Sequence, residues 1–204
     1  MGFYEQRILP YLIHVSMRQE ILIPYRRRLV QSAKGRVLEI GVGSGLNLPL
    51  YTEDARHVIG LDPSPKLLSM ARETANRTPR AIELLEASAE AIPLEDNSVD
   101  TVVTTWTLCS IPHVIGALRD VRRVLKTQGH LLFAEHGRSP DRNVSRWQDR
   151  LTPLWKHIAG GCHLNRPVDQ LLGTSGFTIE RMETGYMEGP KMLTFMYEGC
   201  ARVT

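Results

Sequence analysis

No apolar run in this chain is long enough to span a bilayer, which takes about 20 residues, because the longest apolar stretches near the N-terminus are broken by His14, Ser16, Arg18 and Glu20. A membrane span or a cleaved secretory leader is therefore not expected. Cysteine is scarce: Cys109, Cys162 and Cys200 are odd in number, far apart and without a CxxC pair. That spacing argues against a disulfide framework and against a zinc site, so no metal is expected, and a reducing cytoplasm is the expected compartment. Charge of one sign is also weak, at a net +3. The dense basic run, Arg26-Arg27-Arg28 with Lys34 and Arg36 nearby, reads as a solvated helix face. A nucleic-acid partner is thus not expected, and weak contact with a membrane surface is the most such basicity allows. Repeats and low-complexity segments are absent. With 204 residues the chain can bury one sizeable α/β core but not two; monomer and homodimer both remain open.

What is present is an ordered succession of strand and helix signals. Residues 1–34 carry apolar side chains at helical spacing (Ile8, Leu12, Val15, then Ile21, Leu22, Tyr25, Leu29). They read as two helices, with Pro10 and Pro24 marking starts or breaks. From Gly35 the pattern changes to strand–turn–helix units: strands at 36–40, 57–62, 81–87, 98–105 and 129–135, and helices at 63–76, with Ser64 as N-cap, and 114–126. A further helix is expected over 144–158, and Pro167 suits the first position of another. Residues 177–184 and 191–198 read as an antiparallel hairpin on the sheet edge. The expectation is an α/β fold with a Rossmann-like, mostly parallel seven-stranded sheet and helices on both faces. Residues 1–34 would form a helical lid on a domain of residues 35–204.

The chemistry begins at Glu39-Ile40-Gly41-Val42-Gly43-Ser44-Gly45. A carboxylate closes the strand and three glycines follow where a ligand must approach the backbone, so that a Cβ there would meet the ligand. A dinucleotide motif would want its third glycine at position 46, which is Leu46; the spacing favours a ligand without a pyrophosphate. At the end of the next strand, Asp62 can accept both hydroxyls of a ribose.

These segments, with Gly60-Leu61-Asp62-Pro63-Ser64, Glu95-Asp96-Asn97-Ser98-Val99-Asp100-Thr101-Val102 and Arg123-Val124-Leu125-Lys126 followed by Gly129, resemble the class I S-adenosylmethionine-dependent methyltransferases. The likeness is to their type 11 group, which includes quinone-biosynthesis enzymes, and runs over roughly residues 35–137. It implies S-adenosylmethionine as cofactor, with Glu39 fixing the glycine loop and the methionine amino group and Asp62 holding the ribose. Ser88 and Ala89 would lie along the adenine, and Thr105 and Trp106 would face the methionine portion. Gly41, Gly43, Gly45, Asn47, Pro63, Ser64 and Glu90 complete the implied cofactor side. Many relatives place an acid after the third strand, toward the adenine amino group. Ser88 stands there in this chain, which shifts adenine binding toward the Ala89 backbone and apolar stacking.

On the acceptor side, transfer from a sulfonium is an in-line displacement, in which positioning can supply ~7–11 kcal/mol. A thiol, with pKa about 8.5, asks least of a general base. His136 at the end of the fifth strand is a candidate catalytic residue, and His113 beyond the fourth is a second. Cys109 reads as a small buried residue rather than a nucleophile, since direct transfer needs no covalent intermediate. A narrower likeness, carried by Leu108-Cys109-Ser110-Ile111, Ala134-Glu135-His136, Trp155 and Gly161-Cys162-His163-Leu164-Asn165-Arg166, is to the alkyl thiol methyltransferases of animal endoplasmic reticulum and lipid droplets. It implies Cys109, Trp147, Trp155, His157 and His163 on the substrate side, under a lid carrying Phe3, Tyr4 and Tyr11. The membrane attachment of those relatives is not expected here, because the first 34 residues read as amphipathic helices. A small hydrophobic thiol is the expected acceptor. An oxygen or nitrogen acceptor (quinone-like, phenolic or a phospholipid amine) is the alternative. A nicotinamide oxidoreductase is disfavoured by Leu46 and by the lack of a Tyr-x-x-x-Lys pair, and a non-catalytic cofactor-binding module stays open.

Overall fold

Runs of Val, Ile and Leu in this chain become strands because they are buried on both sides by helices, as parallel sheets require. The computed structural model describes residues 2–204. The strands are β1 (Gly35–Ile40), β2 (Ala55–Asp62), β3 (Ile82–Glu86), β4 (Val99–Thr105), β5 (Leu125–His136), β6 (Phe177–Tyr186) and β7 (Phe195–Val203), and they form one sheet in the order β3-β2-β1-β4-β5-β7-β6. The first five run parallel; β7 is antiparallel to both β5 and β6. The expected seven-stranded Rossmann-like sheet with an antiparallel C-terminal pair is therefore present. Strand order reverses between β1 and β4, and it is outside the carboxyl ends of strands at such a switch that α/β sheets bind ligands.

Alternation along the strands sorts side chains between two layers. Leu38, Ile40, Leu131 and Phe133 pack with Ala117, Leu118 and Val121 of α4 (Val114–Val124) and Leu172 of α6 (Val168–Thr174). Val37, Val58, Val103 and Leu132 face the opposite layer, where Leu29 and Val30 of α2 (Ile23–Val30) and Leu68 and Ala71 of α3 (Pro65–Asn76) cover them. The N-terminal segment holds a wide turn at Tyr4–Ile8, α1 (Leu9–Met17), a 3-10 turn at Glu20–Leu22 and α2. Pro10 and Pro24 stand in the first turns of α1 and α2, where the missing N–H costs nothing. Ser64 caps α3, its hydroxyl accepting from the Leu67 N–H. After β5 come α5 (Arg142–Ile158) and a short α7 (Lys191–Thr194).

Three boundaries differ from expectation. Residues 191–194 are a single helical turn, and β7 begins only at Phe195. The Thr194 hydroxyl donates to the Pro190 carbonyl and Gln148 reaches the Met192 carbonyl, so side-chain bonds hold a turn where the residues alone favour a strand. Pro167 is the cap residue before α6, not its first helical position, with an extended ψ of 93°. Leu125 and Lys126 leave the helix and join β5, because Leu125 pairs with Val99 in the ladder.

Phe133 is fully buried at the centre of the larger core layer. Phe133→Ala should lower the unfolding free energy by about 3–5 kcal/mol, read by urea titration; a loss under about 1 kcal/mol would contradict this placement.

Candidate active site

The carboxyl ends of β1, β2, β4 and β5 open onto a cavity of about 2060 Å³, larger than the ~300–1,000 Å³ of an ordinary small-molecule pocket and so wide enough for a cofactor and an acceptor together. One end is built by the glycine turn. Gly41, Gly43 and Gly45 all have positive φ (67°, 56° and 80°), a region closed to most side chains. The three do different work. A Cβ on Gly41 would run into Thr107, and one on Gly45 into Leu48 and Ala71, whereas at Gly43 it would meet only the Gly41 carbonyl at 3.9 Å. Gly41 and Gly45 thus serve packing, and the expectation that a Cβ would obstruct the ligand applies to Gly43 alone.

Three carboxylates near the strand ends organise the loops. Asp62 accepts from the Gly43 N–H at 3.0 Å and the Ser64 N–H at 2.9 Å. Burial pushes its carboxyl up, against the pull of those two bonds. Glu39 accepts from Asn47 Nδ2 and from the Tyr51 hydroxyl, both at 2.8 Å, and burial pushes it up to about 7. Glu135 accepts from the Thr104 hydroxyl at 2.7 Å and from the Thr107 and Leu108 N–H groups. Burial, with Cys109 beside it, pushes Glu135 up to about 8.

Arg26 is a residue at the candidate site that the sequence reading did not single out. It is only 7% exposed, donates to Asn47 Oδ1 at 2.8 Å and to the Met17 carbonyl at 3.2 Å, and lies 4.9 Å over the Trp106 ring. The expected solvated basic face is thus wrong at this position. Arg26 shares the helical stripe of Leu22, Leu29 and Val30, a periodicity visible in the sequence. His14 was also missed; its Nδ1 bonds Ser44 Oγ at 2.7 Å, tying α1 to the glycine turn. Glu86, at the tip of β3 and paired in register with Asp62, lines the cavity and supplies a carboxylate near the position where Ser88 replaces the familiar acid. Trp106, just past β4, has a φ of 50°, costly for a bulky residue and typical of functional sites.

Among the residues named from sequence, Glu39, Gly41, Gly43, Asp62, Pro63, Ser64, Ser88, Ala89, Thr105 and Trp106 line the cavity, and so do Phe3, Tyr11, Cys109, His136 and Trp155. Gly45 and Asn47 support it from behind. Glu90 instead accepts from the His113 N–H at 2.7 Å; His113 is exposed at the start of α4, and neither belongs to the lining. The Tyr4 hydroxyl donates to the Ile158 carbonyl. His163 bonds the Cys109 carbonyl through its N–H and ring. Tyr4 and His163 therefore buttress the walls rather than face the cavity. Trp147 is 53% exposed, and it and His157 stand outside the lining.

At the end of the cavity away from Asp62, Cys109, His136 and Cys162 converge, with Sγ, imidazole nitrogen and Sγ all within 4.8 Å of one another. His136 Nε2 lies 3.2 Å from Cys162 Sγ, while its Nδ1 is buried with no partner among the described residues. The Cys162 thiol and His136 hold Cys109 well below the usual thiol range, and Cys162 is correspondingly raised. Burial pulls His136 down, but Cys109, with Glu135, more than offsets it and leaves a net rise. Wide spacing in the chain hid this cluster; only the fold assembles it.

A glycine turn without a pyrophosphate cradle, a strand-end Asp62 and a topological switch above a deep cavity define an S-adenosylmethionine-dependent methyltransferase. Residues 38–133 match the family model described as a methyltransferase domain. Thiol S-methyltransferase TMT1B of Homo sapiens is 34% identical over 82% of this chain and 70% of its own length, and the Rattus norvegicus protein of that name is 37% identical over the same shares. The chain belongs to the methyltransferase family that contains these thiol S-methyltransferases. Among solved structures, an S-adenosylmethionine-dependent methyltransferase of Thermotoga maritima superposes with a TM-score of 0.68 at 22% identity, covering 98% of this chain and 97% of that one, which is a likeness of fold.

Gly43→Ala should fold with a loss of about 1–2 kcal/mol from its left-handed backbone yet bind S-adenosylmethionine poorly, whereas Gly41→Ala should lose more stability. Thermal melts with and without cofactor measure both; equal cofactor-induced shifts for Gly43→Ala and wild type would contradict the reading.

Proposed function

We propose that this protein transfers the methyl group of S-adenosylmethionine to the sulfur of a small hydrophobic thiol. The observation that carries the reading is the cavity end beyond Trp106, walled by Cys109, His136, Trp155 and Cys162, in a chain whose thiol S-methyltransferase relatives span most of its length. When bound, the cofactor supplies an electrophilic methyl on a sulfonium. The chain's task is then alignment and exclusion of water.

On the cofactor side, Asp62 accepts from the ribose hydroxyls and Glu39 balances the amino group through the cradle of Asn47, Tyr51 and Arg26. Thr105 and Trp106 border the methionine end. On the acceptor side, His136 is the one imidazole on the cavity wall among the described residues. Residues 1–34 act as a lid over both: Phe3, Tyr11, Leu12 and Val15 line the cavity and present an apolar roof that suits a hydrophobic acceptor. Among the described residues no helix is long and apolar enough to cross a membrane, and the three free cysteines fit a reducing cytoplasm as the place of action.

Two measurements check this. Incubation with labelled cofactor and a panel of alkyl and aryl thiols, phenols and amines should give S-methyl products; methylation of the phenols or amines alone would overturn the thiol assignment. Glu39 carries a proton below about 7, and the bound amino group favours the carboxylate. Cofactor affinity should therefore weaken as pH falls through that value, by about tenfold from pH 8 to pH 6 for one linked proton. Titration calorimetry at the two pH values reads it, and the dependence should vanish in Glu39→Gln; an unchanged pH dependence in that variant would contradict the assignment.

A further inference from the structure

We propose that Cys109, His136 and Cys162 form a zinc site of two thiolates and one imidazole whose fourth position takes the sulfur of the acceptor. The inference rests on the thiol reading above. Zinc bonds of ~2.3 Å to sulfur and ~2.0 Å to nitrogen place tetrahedral ligands roughly 3.5–3.8 Å apart, which the mutual separations within 4.8 Å, with His136 and Cys162 already at 3.2 Å, accommodate with small rotamer changes. All three side chains line the cavity, so the ion would have an entry path and an open position on the cavity side. Three protein ligands with one open position is the arrangement of catalytic zinc; structural zinc takes four.

The surroundings suit this charge. The loops bearing Cys109 and Cys162 are locked together by the His163 N–H donating to the Cys109 carbonyl at 2.8 Å, so two of the three ligands are held in register. Zn²⁺ with two thiolates and a neutral imidazole is neutral. Binding of an acceptor thiolate adds one negative charge, and the Arg166 guanidinium, pinned by the Leu108 and Ile111 carbonyls, stands beside both cysteines to balance it. His136 presents Nε2 to the cluster, and its Nδ1 is buried with no partner among the described residues.

The step balances as follows. The acceptor thiol displaces a water from zinc and gives its proton to solvent, because coordination deprotonates a thiol. Its sulfur electron pair then forms the new S–CH₃ bond while the pair of the old bond leaves with the sulfonium sulfur, now a neutral thioether. The methylated product, a neutral and weaker ligand, gives way to water.

Metal analysis of protein purified without chelator should find one zinc per chain. The stoichiometry should fall to near zero in Cys109→Ser and Cys162→Ser and stay at one in Cys200→Ser, whose cysteine belongs to a surface group with His130 and Glu180. Circular dichroism and S-adenosylhomocysteine binding report whether each variant folds. Should the cysteine variants misfold, cobalt replacement in the intact protein decides: sulfur-to-cobalt absorption should appear and shift when a thiol is added. Removing zinc should lower thiol methylation by about tenfold at about pH 7.5, because a free thiol of pKa about 8.5 is then only about a tenth thiolate, whereas a coordinated one is fully deprotonated. Zinc lost only in Cys200→Ser, a Cys109–Cys162 disulfide in place of metal, or full S-methylation by zinc-free protein would overturn the site. The last result would leave the thiol reading intact, whereas a zinc-loaded enzyme that methylates no thiol would overturn that reading itself.

Discussion

Three carboxylates at or beside the ends of parallel strands, all nearly or fully buried, hold this site in shape. Glu39 of β1, Asp62 of β2 and Glu135 of β5 are 1%, 6% and 0% exposed. Burying an unpaired carboxylate is too costly to persist, so each has drawn donors to itself: main-chain N–H groups for Asp62 and Glu135, and Asn47 with Tyr51 for Glu39. Gly43, Ser64 and Thr107 among those donors line the cavity, and Asn47 and Tyr51 back it from the segment after the glycine turn. The glycine turn is pinned by Asp62 and the loop after β4 by Glu135, so the sheet dictates loop conformation through hydrogen bonds instead of relying on loop sequence.

From that constraint the division of the cavity follows. Asp62 and Glu39 stand at the end that the proposed function assigns to the cofactor, while Glu135 fixes the loop carrying Cys109 at the other end. Arg26 joins the N-terminal helices to the first end by bonding Asn47, which in turn donates to Glu39. Under the proposed function, the same hydrogen bonds that position the N-terminal helices also shape the cofactor end. The apolar side chains of the N-terminal segment, Phe3, Tyr11, Leu12 and Val15, line the cavity and suit the hydrophobic acceptor proposed above.

Much of this was legible in the sequence where function rests on contiguous residues. The glycine turn and Asp62 sit within one strand–turn–helix–strand unit, and their spacing alone separated this site from a dinucleotide one. Cys109, His136 and Cys162 were legible only as isolated residues, because their meeting depends on β4 and β5 pairing and on the turn after α5 folding back. Arg26 was misread for a different reason: three adjacent arginines look like a solvated face, yet a helix turns one of every three or four residues inward, and position 26 falls on the inward stripe. Residues 191–194 failed because local propensity was overridden by bonds from Gln148 and Thr194.

The most direct test of the account is the affinity of S-adenosylhomocysteine for Asp62→Ala, measured by calorimetry on protein shown to be folded. Losing charge-assisted bonds of about 1.5–3 kcal/mol each should weaken binding by at least about tenfold, the result the account predicts. Wild-type affinity in that variant would contradict it.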